Sequence, residues 1–381
     1  MKILYIHTGR LEEKKANFVQ AFQMCSAFAQ SGQEVLLAIN SYTLNNKQAE
    51  KKLCDEMKLP SLPFKLLIYK GRHYLGKLKS IGAALAIKRL LKSTEYDIAF
   101  IRDPVLLPLV AGNCSNIIFE AHNNLTFPPG GIIDSAWRRM IVSHARKPRL
   151  KLFITISKTL RKYWENAGVP SNKLCALHDA VNPNIFCVDT SKNDARKKVS
   201  LPIDKKIVLY AGSLHKDRSI PEILKLAEGR PDINFVIVGG PEKARQNFKN
   251  IADNSGRKNI ILTGRVPHHI IPLYLAAADV LLMLWSREVP TINYCSPLKM
   301  FEYMASERII VGHSFPTIAE VLEHGKHAYL VNPDSFQELT DQLNNALDKP
   351  NPEMAKAAQK LVIEKYTWTQ RCQSIIKSLT L

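Results

Sequence analysis

Long hydrophobic runs are missing from this sequence. No stretch approaches the roughly 18 consecutive apolar residues that a membrane-spanning helix requires, so no transmembrane segment is expected. The opening residues, MKILYIHTGR, are typical of a buried strand and lack the apolar core and small-residue cleavage site of a signal peptide. We therefore expect a cytoplasmic protein, either free or peripheral on the inner face of a membrane.

Cysteine pairs and cofactor signatures are missing too. The seven cysteines are dispersed without a CxxC pair, which argues against a disulfide framework or a zinc site and favours a reducing compartment. No GxGxxG follows the first strand, so a dinucleotide-dependent dehydrogenase loses its usual support. There is no Walker loop, HExxH, GxSxG or DxD motif, and we therefore expect neither a cofactor nor a metal ion.

Acidic residues are few relative to basic ones. The chain has 34 Asp and Glu against 53 Lys and Arg, a formal net charge of +19. Residues 1–180 hold 27 of the basic residues but only 13 of the acidic ones, so the first half carries most of the excess. Such a field attracts an anionic partner, which could be nucleic acid, anionic lipid or a phosphorylated substrate.

Apolar runs of strand length alternate with helical patterns along the whole chain, and the pattern restarts near the middle. Continuous β-rich runs joined by helices predict parallel sheets covered on both faces. We therefore predict an α/β protein with two Rossmann-like, doubly wound domains facing a central cleft, where such sheets bind ligands. The predicted strands are KILYIHT, EVLLAIN, FKLLIYK, DIAFIR, NIIFEAH, KLFITIS, KKIVLYAG, INFVIVGG, NIILTGR, ADVLLMLW, ERIIVG and AYLVNP.

The predicted domain boundary lies in a polar stretch, DAVNPNIFCVDTSKNDARKKVSLPID, which shows no clear period and is expected to be a linker. We place the first domain at residues 1–184 and the second at residues 185–365. Residues 366–381 are predicted to form an amphipathic helix, with the first domain as its candidate packing partner.

Two loop–helix junctions of the second half carry nearby cations. YAGSLHKDRS follows a predicted strand and offers Gly212, Lys216 and Arg218, whereas YCSPLK opens a helix and offers Ser296 and Lys299. Backbone N–H groups at helix starts bind phosphate, and a neighbouring cation strengthens that binding. Two such loops would suit a diphosphate, but ordinary helix capping and solvated cations explain the same pattern.

A carboxylate sits at the edge of an apolar helix face in SPLKMFEYMASERIIVG. Ser296 is the predicted N-cap of this helix and Pro297 its predicted first residue. Helical periodicity puts the apolar residues on one face and Glu302 at the edge of that face. A half-buried carboxylate needs a partner, which is either Lys299, one turn away, or the hydroxyl groups of a bound ligand.

A histidine ends one strand of the first half. FEAHNN places His122 where doubly wound sheets bind ligands, with Glu120 two residues earlier on the same strand face. A histidine in this place can hold a substrate or move a proton, and a purely structural role is the alternative.

Four segments, in matching order and together spanning nearly the whole chain, resemble family 4 glycosyltransferases of the GT-B fold. SPLKMFEYMASERIIVGHSFPTIAEVLEHGKHAYLVNP resembles the donor-site signature of that family, and FITISKTLRKYWENAGVPSNKLCALHDAVNPNIF resembles the segment leading into its second domain. YAGSLHKDRS resembles the phosphate-binding loop, and FEAHN the acceptor-side histidine strand. The resemblance implies sugar transfer from a nucleotide-sugar donor, with retention of anomeric configuration and without a required metal.

The resemblance also implies roles for individual residues. Glu302 would bind the ribose hydroxyls of the nucleotide, Arg218 would hold the donor diphosphate, and His122 would line the reacting sugar and relay a proton. The other residues implied in donor binding are Gly212, Lys216, Arg265, Val266, Ser296, Pro297, Leu298 and Lys299. The residues implied on the acceptor side or in the first loop are Gly9, Arg10, Glu120 and Asn123.

Three positions depart from the family pattern. Tyr294 stands where many members have a glutamate eight residues before Glu302, and Ser213 stands where many have an arginine after the loop glycine. The first loop, HTGRLEEKKANF, has one glycine where many members have two. Lys299 or Lys216 could supply the missing charge.

The leading interpretation is a metal-independent hexosyltransferase whose acceptor is a glycan, a lipid-linked sugar or another cell-surface precursor. A nucleotide-sugar 2-epimerase of the same fold is the first alternative, although few acids beyond Asp103 and Glu120 suit it. A nucleic-acid-binding protein is the second, but it lacks interleaved aromatic residues and a recognisable module. The acid-free basic windows 65–92 and 138–151 make an anionic membrane surface a further candidate partner, and solvated helices explain them equally well.

Overall fold

A parallel β-sheet organises each half of the chain. The computed structural model describes residues 1–13, 16–71, 78–124, 131–214, 220–254, 256–289 and 291–380. Contacts divide the chain into two compact units. The first unit comprises Met1–Asp179, Tyr294–Ser296 and Trp368–Leu381, and the second comprises Ala180–Asn293 and Pro297–Thr367.

The strands of the described residues are short and mostly apolar. They are Lys2–Arg10 (β1), Glu34–Asn40 (β2), Lys65–Tyr69 (β3), Ile98–Ile101 (β4), Ile117–Ala121 (β5), Leu150–Thr155 (β6), Leu174–Ala176 (β7), Ile207–Ala211 (β8), Asn234–Val238 (β9), Ile260–Gly264 (β10), Val280–Met283 (β11), Ile309–His313 (β12) and Tyr329–Val331 (β13).

Helices follow most of these strands. They are Ala16–Gln30 (α1), Asn46–Met57 (α2), Leu78–Ser93 (α3), Leu106–Val110 (α4), Ile132–Arg146 (α5), Lys158–Asn166 (α6), Pro183–Phe186 (α7), Lys192–Lys198 (α8), Ile220–Gly229 (α9), Glu242–Asn254 (α10), Ile271–Ala277 (α11), Leu298–Ala305 (α12), Pro316–Ala319 (α13), Phe336–Asp348 (α14), Pro352–Lys365 (α15) and Trp368–Thr380 (α16).

The sheet of the first unit is doubly wound. Its strand order is β3-β2-β1-β4-β5-β6-β7, and every pairing between neighbours is parallel. Residues of β4 and β5 are buried along their whole length, which fits a sheet covered by helices on both faces. The chain leaves β1 in opposite directions toward β2 and β4, so the carboxyl ends of β1 and β4 form the switch point where ligands of such sheets bind.

The second unit repeats this plan. Its sheet has the order β10-β9-β8-β11-β12-β13, again with parallel neighbours. A buried apolar cluster of residues from β8, β9, β11 and α14 forms its core. The switch point of this unit lies at the carboxyl ends of β8 and β11.

The twelve predicted strands are confirmed within a few residues at their ends, and so is the prediction of two parallel doubly wound sheets. The short strand β7, Leu174–Ala176, was missed. The stretch predicted to be a linker instead contains α7 and α8, whose N-caps are Asn182 and Ser191. The contact boundary falls after Asp179, somewhat earlier than residue 184, and α16 belongs to the first unit.

Candidate functional site

A lysine lies at the switch point of the second unit. The Nζ atom of Lys299, on α12, is 4.1 Å from the ring centroid of Tyr210 at the end of β8 and 5.2 Å from that of Trp285, just after β11. Aromatic faces attract an ammonium group by about 0.5–2 kcal/mol. Two aromatic rings, one at the end of β8 and one just after β11, therefore hold the Lys299 ammonium at the switch point between these strands.

Glycines bring backbone close to this charge. Gly212, directly after β8, has a φ of +155°, and a Cβ atom there would lie 2.8 Å from Lys299 Nζ. Gly239, directly after β9, has a φ of +111°, and its Cβ would lie 2.4 Å from the carbonyl oxygen of Gly212. A side chain does not fit at either glycine, so backbone polar groups and the Lys299 ammonium lie together at the carboxyl end of the sheet. This arrangement suits an anionic group.

Glu302 is also on α12, and its side chain is 15% exposed. Its Oε1 atom lies 3.5 Å from Nε2 of His268, a residue of the 3-10 turn that follows β10. That contact is too long to be a strong hydrogen bond, and Glu302 makes no shorter one to the part of the chain that the structure describes. Lys299, its simple candidate partner, instead lies over the two aromatic rings, so Glu302 keeps acceptor capacity for hydroxyl groups of a ligand.

Other predicted donor-side residues lie around these two. Arg265 is exposed and Val266 half-buried, directly after Gly264, whose φ is +70°. Leu298 is the first residue of α12. Lys216 and Arg218 lie outside the described residues.

The predicted start of α12 is wrong. The N-cap is Pro297, without a side-chain hydrogen bond, and the helix begins at Leu298. The hydroxyl of Ser296 instead accepts a hydrogen bond from the backbone N–H of Asp179 at 2.8 Å and lies 3.4 Å from His178 Nδ1. Ser296 belongs to the first unit, where its hydroxyl is already used, so it does not cap the helix.

In the first unit, His122 lies within a buried ionic cluster. It follows β5 directly, and its side chain is 25% exposed. Its Nε2 atom is 2.6 Å from Glu120 Oε1 and 2.8 Å from NH2 of Arg102, which follows β4. The Arg102 Nε atom also lies 3.2 Å from Glu120 Oε1. His122 is thus held at the carboxyl ends of two neighbouring strands.

Glu120 is fully buried, so it supports His122 and is not exposed to bind an acceptor directly. Arg371 NH2 on α16 lies 2.7 Å from Glu120 Oε2. The side-chain amide of Gln20, on α1, donates to Glu120 Oε1 at 3.2 Å and to Asp179 Oδ1 at 2.5 Å. Removing one partner of a buried ion pair typically costs about 3–5 kcal/mol. Loss of any one charged member of this network is therefore expected to destabilise the first unit.

The remaining acceptor-side predictions lie at the ends of β1 and β5. A Cβ on Gly9 would approach His7 Nε2 to 2.6 Å, and the guanidinium of Arg10 lies 4.9 Å from the ring centroid of Tyr42. Asn123 is half-buried beside His122. The end of β1 is tied to the end of β4, because Thr8 donates a hydrogen bond to Asp103 at 2.7 Å.

Several residues of these sites were missed from the sequence. In the second unit they are the aromatic pair Tyr210 and Trp285 and the histidine His268. In the first unit they are Gln20, Arg102, Asp179 and Arg371. Arg102 could have been identified from the sequence, because it ends a predicted strand, as His122 does.

Within the described residues, no group of three or more His, Cys, Asp or Glu side chains could hold a metal ion. None of the helices in that part of the chain is long and apolar enough to cross a membrane.

The two doubly wound sheets define the GT-B fold. A solved structure of Anabaena HepE in complex with UDP and glucose superposes on this chain with a TM-score of 0.76, covering 100% of this chain and 99% of that one at 16% identity. The family model of group 1 glycosyl transferases matches residues 191–363.

Curated relatives match a shorter part of the chain. A lipopolysaccharide 1,2-N-acetylglucosaminetransferase of Salmonella typhimurium is 26% identical over 238 residues, which are 58% of this chain and 59% of that protein. An alpha-galactosylglucosyldiacylglycerol synthase of Streptococcus pneumoniae is 28% identical over 200 residues, 50% of this chain and 51% of that protein. The matches therefore span little more than half of these relatives.

Proposed function

We propose that this protein is a retaining glycosyltransferase that moves a hexose from a nucleotide-sugar donor to a glycan or lipid-linked acceptor, without a metal ion. The observation that carries the proposal lies in the second unit, within the group 1 glycosyl transferase region. There Lys299 and the glycine-lined strand ends meet at the switch point, and Glu302, on the same helix, keeps acceptor capacity for hydroxyls. One helix thus offers a cation to a diphosphate and a carboxylate to a ribose.

The donor is proposed to bind the second unit. Glu302 accepts hydrogen bonds from the ribose hydroxyls, and the backbone around Arg265 and Val266 meets the base. The diphosphate lies near Gly212, with charge supplied by Lys299 and by the proposed contacts Lys216 and Arg218. These cations offset the charge that develops on the leaving group, which is the task of a metal ion in other transferases.

His122 is proposed to act on the reacting sugar from the first unit, with Gly9, Arg10 and Asn123 on the acceptor side. A neutral imidazole can accept a hydrogen bond or relay a proton. Burial and the nearby Arg102 guanidinium lower the pKa of His122 from its usual value, against the raising effect of Glu120. His122 is therefore neutral near pH 7 and able to accept a proton.

A donor panel tests this function. UDP-glucose and UDP-N-acetylglucosamine come first, because the solved Anabaena structure is a complex with UDP and glucose and the Salmonella relative is named for N-acetylglucosamine transfer. We expect nucleoside diphosphate release that depends on an acceptor extract, persists in EDTA and gives a product with the anomeric configuration of the donor. Proton coupling constants report that configuration.

The opposite outcomes are equally clear. Activity that EDTA abolishes and magnesium or manganese restores would contradict metal independence, and an inverted product would contradict retention. Isomerisation of the donor sugar with no transfer would instead point to the 2-epimerase alternative.

We further propose that the first unit docks on an anionic membrane surface on the cytoplasmic side. Helix α5 exposes Ile132 and Ile133, which are 86% and 61% exposed, and it carries the exposed Arg139, whereas Arg138 is paired with Asp134 at 3.2 Å. Each cation near an anionic leaflet contributes about 1 kcal/mol, and exposed isoleucines can insert at the interface. A relative named as a diacylglycerol glycolipid synthase supports a lipid-linked acceptor.

Liposome sedimentation checks this docking. We expect binding that rises with the anionic-lipid content and falls at high salt, because the Debye length shrinks from about 10 Å at 0.1 M to about 3 Å at 1 M. The double variant Ile132→Ser, Ile133→Ser should bind more weakly. Ile203→Ser, at a 55% exposed isoleucine of the second unit, is the matched control. If the protein stays in the supernatant at low salt, the acceptor is soluble and the docking proposal is wrong.

A further inference from the structure

The last helix of the chain brings a guanidinium into the histidine cluster of the first unit. Arg371, on α16, donates from NH2 to Glu120 Oε2 at 2.7 Å and from Nε to the carbonyl oxygen of His178 at 2.9 Å. Its side chain is only 2% exposed. Because Glu120 Oε1 contacts His122 at 2.6 Å, one carboxylate connects the terminal helix to the proposed reacting histidine.

We propose that Arg371 is a positioning residue for sugar transfer: it holds Glu120 ionised and in place, and Glu120, together with Arg102, fixes the His122 ring through Nε2. Nδ1 of His122 is then left for a substrate hydroxyl. This inference rests on the proposed role of His122 in sugar transfer.

Contacts from two sides hold Nε2 of His122. Glu120 Oε1 lies 2.6 Å from it, and Arg102 donates to it from Nε at 3.1 Å and lies 2.8 Å from it through NH2. Within the described residues, Nδ1 of His122 makes no hydrogen bond, so Nδ1 is the ring nitrogen left for a substrate.

The charges of the surrounding groups also affect the protonation of His122. The cluster contains two carboxylates, on Glu120 and Asp179, and two guanidinium groups, on Arg102 and Arg371. Gln20 bridges the carboxylates without adding charge. Two other titratable groups nearby, the phenol of Tyr5 and the thiol of Cys25, are fully buried. Burial raises the pKa of each, which keeps both neutral. The fixed charges cancel when His122 is neutral and Asp179 is ionised, although burial raises the pKa of Asp179.

The pKa directions agree with this balance. Burial would raise the pKa of Glu120, but Arg371, His122 and Arg102 hold it well below its usual range. Burial lowers the pKa of Arg371, but Glu120 and Asp179 outweigh that effect and raise it. Without the Arg371 charge, the cluster would carry a net negative charge that favours protonation of His122.

Histidine NMR on the full chain tests the inference without any substrate. Isotope-labelled histidine reports the tautomer and the pKa of each of the 11 histidines, and His122→Asn assigns the relevant signal. We expect Arg371→Met to raise the pKa of His122 by at least about half a unit, because loss of a nearby positive charge favours the imidazolium and charges at close range shift pKa values by about 1–3 units. Arg371→Lys, which keeps the charge, should leave the wild-type value.

Arg371→Gln keeps the experiment decisive if the methionine variant does not fold. Glutamine can still donate to Glu120 and to the His178 carbonyl but carries no charge, so the same upward shift is expected. Lys377→Met, which removes an exposed cation from the same helix, is the matched control and should leave His122 unchanged. An unchanged His122 pKa and tautomer in the folded glutamine variant would overturn the proposal.

Kinetics provide the second readout. We expect Arg371→Gln to lower kcat about tenfold, a part of the 10²–10⁴ that acid–base groups contribute, with the donor KM nearly unchanged and the pH profile displaced upward. A shifted His122 pKa with wild-type kcat and pH profile would refute a role in turnover. If no donor is turned over by the wild type, the proposed function is wrong, whereas the NMR comparison still decides whether Arg371 controls His122.

Discussion

Replacing His122 with alanine is expected to lower kcat by about 10²–10⁴-fold, the usual contribution of a general acid–base group, while nucleotide affinity stays nearly the same. The reason is a division of roles between the units. His122 lies at the end of β5 in the first unit, whereas Lys299, Glu302 and the glycine-lined strand ends belong to the second. Initial rates at saturating donor and calorimetry with the nucleoside diphosphate measure the two effects separately.

His144→Ala is the matched control for this experiment. His144 lies in the last turn of α5, and its Nδ1 atom is buried without a hydrogen-bond partner within the described residues. Its loss should leave both kcat and nucleotide affinity near their wild-type values. A large loss of nucleotide binding in His122→Ala, with turnover unchanged at saturation, would reverse the proposed roles of the two units.

The strands were predictable because each is a continuous apolar run that fits a sheet buried on both faces. Ile117–Ala121 and Asn234–Val238, for example, are buried at every position, and apart from Glu120 and Asn234 their residues are apolar. The missed strand, Leu174–Ala176, has three residues of which two are only half-buried. A run that short carries no period that separates it from a loop.

Local sequence also located the two residues on which the proposals depend most. Helical periodicity placed Glu302 at the edge of an apolar face, and its side chain is 15% exposed beside the fully buried Phe301. The end of an apolar run placed His122 at the rim of the sheet. Both positions follow from the chain within a few residues, so no knowledge of distant segments was needed.

Partners from distant segments could not be predicted in this way. Arg371 lies 251 residues from Glu120 in the chain, and only the packing of α16 in the first unit brings them together. The same holds for His268, which meets Glu302 because the turn after β10 lies beside α12. The Ser296 prediction failed for this reason as well, since Asp179, far away in the chain, takes the hydroxyl that would have capped the helix.

Glu302→Ala is expected to raise the Kd for the nucleotide about 10- to 100-fold, because hydrogen bonds to a charged group contribute about 1.5–3 kcal/mol. The proposed target of the carboxylate is the ribose, which a bare nucleoside diphosphate and a nucleotide sugar share. The loss should therefore be similar for both ligands in calorimetry. Inorganic pyrophosphate, which has no ribose, should bind the variant and the wild type equally well.

Two further variants decide which group Glu302 contacts. Arg218→Ala should weaken nucleoside diphosphate, nucleotide sugar and pyrophosphate together, because its proposed target is the diphosphate, and it thus differs from Glu302→Ala in the pyrophosphate arm. Glu353→Ala, at a 76% exposed glutamate of α15, is the matched control and should bind all three ligands normally. Unchanged nucleotide affinity in both the Glu302 and the Arg218 variants would show that the donor does not bind at this part of the second unit. The carboxylate would then have only a structural contact with His268.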